Sequence, residues 1–237
     1  MDEDHRARNY LLAAIPDDEY ARLAPRFEYV HATHGEVVAR PGETMDRAYF
    51  PLSGMVSVVA LMSEGLGAEV GTVGNEGMVG LPIVLGGASM PFHFMWQLDG
   101  EALRIPAGNL SNAVTPGGPF ASAVMAYLQA FFVQAAQNGA CNGLHTVSQR
   151  CARWLLSTRD RADADSFMLT HEFLAFMLGV TRQSASIAVA DFARLGFIAY
   201  QHGHMQILDR AGLETTSCEC YRIIRNEFER LLGVSRG

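Results

Sequence analysis

Lysine is absent from this 237-residue chain, and all 18 residues of the Lys and Arg class are arginines. The absence excludes chemistry that depends on a lysine side chain: the phosphate-binding lysine of a Walker A loop, a Schiff base and a lysine general base. Charged residues are also scarce, at 18% of the chain against 49% hydrophobic residues. That balance predicts a folded globular protein rather than a disordered one.

Long apolar runs are missing as well. No uninterrupted apolar stretch reaches the roughly 20 residues that a membrane span requires. The first ten residues, MDEDHRARNY, are mainly charged and do not resemble a secretory signal. We therefore expect a cytoplasmic protein with no membrane partner.

Cysteine is scarce, and the few cysteines are clustered, unlike a secreted disulfide framework. We interpret them as reduced thiols that pack as small hydrophobic residues. The segment RAGLETTSCECYRIIRNEFERLL is predicted as one helix between Asp209 and Gly233. On such a helix the side chains of Cys218 and Cys220 point about 200° apart. The two thiols then cannot bind one metal ion, unless the helix begins after Cys218. We predict no metal and no other cofactor. Redox sensing by these thiols stays an alternative; they are Cys141, Cys151, Cys218 and Cys220.

The net charge of -7 is unevenly distributed. Residues 1–143 hold 7 Arg against 15 acidic residues, a balance of -8, whereas residues 144–237 hold 11 Arg against 10 acidic residues, a balance of +1. Acidic chains repel nucleic acid, but the last part of this chain is free to approach phosphates.

Short apolar segments separated by Gly and Pro fill residues 27–105. Residues 56–58 and 94–98 have the two-residue periodicity of β-strands, and turn residues recur about every 8 to 12 positions. This pattern predicts a β-sandwich or barrel, preceded by short helices in the first 25 residues.

Residues 105–149 contain no Asp, Glu or Arg, and PFASAVMAYLQAFFVQAAQNG within them has helical periodicity, with Pro119 in its first turn and Gly139 at its end. A helix this apolar must be buried. We predict that one face of this helix packs on the β domain and another face packs on the same helix of a second subunit. The alternative is a helix buried inside the core of a single chain. A membrane span is disfavoured, because Gln129 and Gln134 interrupt the apolar sequence. The predicted dimer stripe consists of Val124, Leu128, Phe131 and Ala135.

Residues 170–208 follow the order helix, tight turn, helix, β-hairpin, which is that of a winged helix-turn-helix. Gly179 marks the turn, Thr170 and Thr181 can cap the two helices, and His202-Gly203 is a hairpin signal. The second helix then presents a polar first turn suited to a DNA major groove, and its dipole favours a nearby phosphate.

The predicted DNA contacts are of two kinds, to base edges and to phosphates. Arg182 can bond a guanine edge and Gln183 an adenine edge, while Ile187 and Leu195 are expected to reach the core or its margin. The residues predicted to contact phosphates are Thr170, His171, Ser184, His202 and His204.

Three segments resemble the Crp/Fnr transcription regulators. RPGETMDRAYFPLSGMVSVV resembles the family's β-roll signature, with Gly42 and Gly54 at its two glycines. QRCARWLL is similar to the helix that leads into the DNA-binding domain, and LTHEFLAFMLGVTRQSASIAVADFARLGFI is similar to the family's helix-turn-helix. On that pattern Arg182, Gln183 and Ser186 fall where family members contact bases.

The resemblance implies an α+β fold with three parts: a β-roll (jelly-roll) sensor domain at 1–117, a long dimerisation helix at 118–143, and a winged helix-turn-helix domain with a C-terminal helix at 144–237. It implies a sequence-specific transcription regulator that binds an inverted repeat in double-stranded DNA as a homodimer, through the helix starting at Thr181. RNA polymerase is a further candidate partner.

The sequence departs from the family's cyclic-nucleotide binders, which use an Arg to neutralise the cyclic phosphate. No Arg lies between Arg47 and Arg104, so we predict that cyclic AMP is not bound. The cysteine cluster of the iron-sulfur members is also missing near the N-terminus. An apolar or haem-like ligand that contacts His93 is one alternative; a core that fills the pocket is the favoured one. The pocket-equivalent residues are Met78, Val79, Leu81, Ile83, Met90, Phe92, Phe94 and Trp96.

A metal-dependent cupin-type enzyme is the alternative function, because HATHGE offers His31, His34 and Glu36. Strand residues alternate faces, so His34 and Glu36 would share one face while His31 points away. Since three ligands must converge, we favour surface histidines and predict that the protein is not an enzyme.

Overall fold

In the computed structural model, residues 3–114, 116–162 and 164–234 are described. The chain begins with three short helices, as predicted, and a 3₁₀ turn at Ala24–Arg26. Asn9 fixes this segment to the β domain, since its side chain caps the second helix and donates to Pro51 O and Gly77 O at 2.8 and 2.9 Å. The helices are α1 (Glu3–Ala7), α2 (Tyr10–Ala13) and α3 (Asp17–Leu23).

Seven antiparallel strands in two sheets form the predicted β-roll. One sheet has the order β1-β7-β3 and the other β2-β6-β4-β5, and their inward side chains share one core with α2, α3 and the long helix that follows. Two short helices, α4 (Leu81–Leu85) and α5 (Ala107–Ala113), belong to this part of the chain. The strands are β1 (Glu28–Ala32), β2 (Val37–Ala39), β3 (Arg47–Pro51), β4 (Met55–Leu61), β5 (Gly67–Val73), β6 (His93–Leu98) and β7 (Gly100–Pro106).

The long helix α6 (Pro119–Leu144) continues through Gly139, where the sequence had suggested its end. Its inward face binds the β-roll partly through polar groups: Thr72 N donates to Gln134 Oε1 at 2.7 Å, and Asn138 Nδ2 donates to Val70 O at 3.1 Å. The helix is long and apolar enough to cross a membrane, with a mean hydropathy of 1.3 over its most apolar window. In this structure one face of the helix packs on the β-roll, and 28% of that window is buried.

The face of α6 that packs on its own chain includes part of the predicted dimer stripe. Val124 is fully buried in the core, and an added Cβ at Gly71 would lie 2.9 Å from the Phe131 ring, so Phe131 packs on β5. The assignment of Val124 to a subunit interface was therefore wrong. The fully buried positions of α6 are Phe120, Val124, Tyr127, Ala130, Gln134, Asn138 and Cys141.

The C-terminal part contains the predicted winged helix-turn-helix with two differences. A third strand, β8, joins the hairpin in the order β8-β10-β9. The predicted single C-terminal helix is two helices, because the backbone is extended at Ser217. Asp209 caps the first and Gly233 ends the second, as predicted. The elements are α7 (Val147–Ala162), β8 (Ser166–Met168), α8 (His171–Leu178), α9 (Arg182–Arg194), β9 (Ile198–Gln201), β10 (His204–Ile207), α10 (Arg210–Thr216) and α11 (Cys220–Leu232).

The C-terminal part packs on the β-roll through α7 and α8 and on α6 through α11. Arg161 of α7 donates two hydrogen bonds to Glu76 Oε1, at 3.0 and 2.8 Å, and both side chains are almost completely buried. Phe176 of α8 lies against Gly67 of β5. The α+β fold that the sequence predicts is confirmed, and the contacts place the helix-turn-helix directly beside the sensor domain.

Candidate nucleic-acid interface

The turn between α8 and α9 has the geometry of a helix-turn-helix. Thr170 Oγ1 accepts from Phe173 N at 3.1 Å and caps α8, and Thr181 Oγ1 accepts from Ser184 N at 3.2 Å and caps α9. Gly179 ends α8 in the left-handed conformation, with φ of 60°, which a residue with a Cβ rarely adopts. The two helix axes differ in direction by 110°, within the range of this motif.

The exposed face of α9 begins at its amino-terminal turn. Arg182 and Gln183 are exposed, as predicted. Ile187 and Leu195 are also exposed, at 57% and 51%, although they were expected to reach the core or its margin. Because Ile187 and Arg194 lie at helical spacing from Gln183, the solvent face extends from the first turn to the end of the helix. Arg194 was not predicted, because it lies at the other end of α9 from the polar first turn that the sequence pattern marks.

Arg182 is held by an acidic neighbour. Its Nε lies 2.7 Å from Glu172 Oε1 of α8, and both side chains are largely exposed, at 69% and 60%. An exposed ion pair of this kind contributes at most about 1 kcal/mol, so a guanine edge can compete with Glu172 for the guanidinium. The ion pair links the first turn of α9 to the first turn of α8 and orients the Arg182 side chain.

His171 has a different environment from the one predicted. Its ring stacks on Tyr200 with the centroids 4.6 Å apart, and its Nδ1 lies 2.8 Å from Ser186 Oγ. Its Nε2 is buried and has no hydrogen-bond partner among the residues that the structure describes. A ring in this position favours support of Ser186 over a phosphate contact, and the predicted phosphate contact of His171 stays a prediction.

The wing is a tight hairpin. His202 and Gly203 both have positive φ, 51° and 81°, as a two-residue type I′ turn requires. His202 and His204 are exposed at its tip, and Ser184 lies beside the cap of α9, with its Oγ 2.9 Å from Thr181 Oγ1. Their predicted phosphate contacts stay predictions, and the hairpin places the two histidines where such contacts are accessible.

Two family models match these two parts of the chain. The cyclic nucleotide-binding domain matches residues 29–115, and the Crp-like helix-turn-helix domain matches residues 149–216. The chain belongs to the Crp/Fnr family of transcription regulators. It is accordingly a DNA-binding transcription regulator of the Crp/Fnr type. No curated protein sequence matches it significantly.

Solved structures of the Crp/Fnr family share this fold at low sequence identity. A transcriptional regulator assigned to the Crp/Fnr family from Eubacterium rectale is 17% identical, with a TM-score of 0.70 over 89% of this chain and 98% of that one. FixK2 from Bradyrhizobium japonicum is 18% identical, with a TM-score of 0.67 over 81% and 98%. The c-di-GMP responsive regulator CLP from Xanthomonas campestris is 16% identical, with a TM-score of 0.65 over 81% and 99%.

In this Crp/Fnr chain, the β-roll encloses an apolar cavity of about 270 Å³ beside α6. Six of the eight predicted pocket residues, Met78, Val79, Leu81, Met90, Phe92 and Phe94, line it, whereas Ile83 and Trp96 do not. The expectation of a filled pocket was therefore wrong. The described lining residues carry no charged side chain: they are Val58, Val70, Val73, Met78, Val79, Gly80, Leu81, Pro82, Met90, Phe92, Phe94, Tyr127, Phe131 and Ala135.

The histidines of HATHGE do not converge on one point. His31 Nδ1 lies 4.0 Å from Glu101 Oε1, whereas His34 Nδ1 lies 2.8 Å from Gln97 O. The Glu36 carboxylate instead accepts from Thr33 N at 3.2 Å. These three side chains satisfy separate partners, so the geometry gives no support to the cupin-type enzyme.

All four cysteines are free and buried, as their interpretation as small packed thiols predicts, and three of them lie together. Cys141, Cys218 and Cys220 form a small buried cluster separate from both main hydrophobic cores, and His145 adjoins it. Cys151 packs alone in the C-terminal core, where burial raises its pKa to about 12. Cys218 and Cys220 can share a site because the predicted continuous helix is not formed: α11 begins only at Cys220, so Cys218 lies outside it.

Proposed function

We propose that the protein binds an inverted repeat in double-stranded DNA as a homodimer, with α9 of each subunit in a major groove. The observation that carries the proposal is the exposed amino-terminal turn of α9, where Arg182 and Gln183 face solvent and the helix dipole favours phosphate. Two recognition helices about 34 Å apart would contact successive major grooves.

The proposed dimer interface is the free face of α6. It is turned by one residue, about 100°, from the stripe predicted from sequence. Met125 and Phe132 are exposed by 56% and 69%, unusual values for large apolar side chains on a helix. The exposed positions follow the alternating three- and four-residue spacing of a coiled coil: Ser122, Met125, Gln129, Phe132, Ala136, Gly139 and Gly143. Leu128, from the predicted stripe, lies at the margin of this face.

Two glycines support close approach of a second helix along this face. A Cβ added at Gly139 or Gly143 would meet nothing within 4 Å, so the described part of the chain gives no packing reason for glycine. Glycine inside a helix costs about 1 kcal/mol relative to alanine. A partner helix in contact with the backbone at these positions accounts for that cost, as small residues do in other closely packed helix pairs.

The sensor cavity favours a small apolar effector over a cyclic nucleotide. A buried cyclic phosphate needs a cation, and its absence would cost several kcal/mol. Tyr127, the hydroxyl-bearing residue of the lining, already donates to Met78 O at 3.2 Å. We accordingly propose that cyclic AMP is not the effector. RNA polymerase as a partner, a cytoplasmic location and the absence of enzyme activity belong to the same proposal.

Selection of bound sequences from a random DNA pool tests this function. The purified full-length protein should enrich an inverted repeat with half-sites about one helical turn apart. A double variant, Arg182→Ala with Gln183→Ala, should lose the enrichment, whereas Arg230→Ala, an exposed arginine on α11, should keep it. Enrichment of a single half-site would contradict the dimer, and equal enrichment by the double variant would contradict the role of α9.

A further inference from the structure

We propose that Cys141, His145, Cys218 and Cys220 form a Cys₃His site for a divalent metal ion of the zinc class. One ligand atom from each of the four residues lies within 4.8 Å of all the others. Three thiolates and one imidazole are the donor set of a structural zinc site. The site lies outside the cavity and the helix-turn-helix already described.

The distances between these atoms suit a tetrahedron. Cys141 Sγ lies 3.5 Å from Cys218 Sγ, and Cys220 Sγ lies 3.5 Å from His145 Nδ1. With Zn–S of about 2.3 Å and Zn–N of about 2.0 to 2.1 Å, the edges of a tetrahedral site are about 3.8 Å between sulfurs and about 3.6 Å between sulfur and nitrogen. The two 3.5 Å separations need to change by only a few tenths of an ångström, and the longest separation, up to 4.8 Å, needs to shorten by up to about 1 Å to admit the ion.

The local backbone brings the four ligands together. Cys141 and His145 are four residues apart at the end of α6, on the same side of the helix, and His145 N still donates to Cys141 O at 3.1 Å. Cys218 and Cys220 lie where the chain passes from α10 to α11. Because Cys218 precedes the helix, the two sulfurs can face the same point.

His145 is oriented as a metal ligand. Its Nε2 lies 3.3 Å from Glu219 Oε2, while its Nδ1 faces Cys220. A carboxylate on one ring nitrogen holds the proton there and leaves the other nitrogen free to bind a metal, which is the usual arrangement around metal-bound histidines. A histidine that only filled space would not require this pairing.

The surroundings compensate the charge of such a site. Three thiolates and a divalent cation leave one net negative charge, and the positive charge of Arg153 interacts favourably with Cys141. The Nε groups of Arg150 and Arg153 are buried without a hydrogen-bond partner in the described part of the chain. Gln137 Nε2 donates to Cys220 Sγ at 3.2 Å, a contact that supports a thiolate.

A metal ion explains this cluster better than a disulfide. A bond between Cys141 and Cys218 would release two protons and two electrons to an oxidant, and it would leave Cys220 and the His145–Glu219 pair without a role. A metal uses all four residues. Since its ligands come from the end of α6 and from the α10–α11 junction, the ion would link these two parts of the chain through coordination bonds. That this joins the dimer helix to the DNA-binding domain rests on the proposed function.

Metal analysis of the purified full-length protein tests the site directly. After zinc loading under reducing conditions and dialysis, we expect about one zinc ion per chain in the wild type and in Cys151→Ala, the matched control outside the cluster. Cys218→Ser and His145→Ala should each lower the zinc affinity by tenfold or more. Neither measurement depends on DNA binding, so failure of the metal site and failure of the proposed function are distinguishable.

Cobalt spectroscopy on the wild type keeps the test independent of variants that fail to fold. Co²⁺ should give the strong visible and thiolate charge-transfer bands of a tetrahedral sulfur-rich site, and zinc should abolish them. A wild type that takes up no zinc and no cobalt would overturn the proposal. So would a Cys141–Cys218 disulfide that persists in zinc-loaded, reduced protein, because the cluster would then be a thiol pair.

Discussion

Ser57 bridges Glu69 and Gln97, with its Oγ 2.7 Å from Glu69 Oε2 and 2.6 Å from Gln97 Oε1. Gln97 Nε2 in turn donates to Thr158 Oγ1 at 3.1 Å. The single Ser57 hydroxyl proton can be donated to only one of these two oxygens at a time. The chain of bonds connects the β-roll to α7, the first helix of the C-terminal part.

The first prediction concerns pH and Glu69. Burial raises the pKa of Glu69 from 4.5 to about 7, despite the hydrogen bond from Ser57 and the charges of Arg153 and Arg161. The folded protein therefore keeps a proton that the unfolded chain releases above pH 4.5, so this contribution to stability is complete below that pH and is lost as the pH rises through about 7. The shift corresponds to at most about 3 kcal/mol.

Chemical denaturation between pH 5 and 8 measures this effect. Glu69→Gln should stabilise the protein at pH 8 relative to the wild type, and the difference in the free energy of unfolding should shrink toward pH 5. The exposed Glu43→Gln serves as the control and should leave the pH dependence unchanged. A constant difference between Glu69→Gln and the wild type would show that Glu69 is ionised throughout.

The second prediction concerns the base contact of Arg182. Arg182→Ala should weaken binding to the selected operator by about 1 to 3 kcal/mol, or about tenfold to a hundredfold, and relax the preference at one base pair. Fluorescence anisotropy with the operator and with single-base variants measures both. If affinity falls equally for operator and random DNA, then Arg182 contacts only phosphate.

The third prediction concerns the free face of α6. Phe132→Asp should produce monomers, because it places a charge in the proposed subunit contact while leaving the chain's own core intact. Light scattering after gel filtration measures the mass, with Leu66→Asp as a control of similar exposure on the β4–β5 connection. A dimeric Phe132→Asp would place the interface elsewhere. Phe131→Asp is expected to destabilise the fold instead, since Phe131 packs on β5.

The fourth prediction concerns cyclic AMP. A ligand at a hundred times its Kd stabilises a protein by about 2.7 kcal/mol, which a thermal melt detects readily. Because the described lining of the cavity holds no cation, millimolar cyclic AMP should leave Tm unchanged. A saturable rise in Tm with cyclic AMP but not with AMP would contradict the prediction.

The local features of the helix-turn-helix were predictable from sequence, because each depends on a few neighbouring residues. Thr170 and Thr181 cap their helices, Gly179 takes positive φ, and His202-Gly203 forms the hairpin turn, all as expected. These are backbone requirements that particular side chains satisfy, so the residue types carry the information.

The features that were missed depend on tertiary packing. On α6, the stripes containing Val124 and Met125 both carry large apolar residues and both have a coiled-coil spacing, so the packing of the β-roll decides which faces inward. The cysteine cluster joins Cys141 to Cys218 across 77 positions, and the helix break at Ser217 that permits it has no strong breaker such as proline. A pattern confined to neighbouring residues cannot report such contacts.

The last prediction separates two roles for His171. Since its Nδ1 lies 2.8 Å from Ser186 Oγ and its ring stacks on Tyr200, His171→Phe should keep the stacking and lose the bond that orients Ser186. Operator affinity should then fall as it does in Ser186→Ala, and the double variant should be little weaker than either single one. Affinity for random DNA should stay unchanged. A phosphate contact by His171 would instead lower affinity for all DNA and reduce the salt dependence, independently of Ser186.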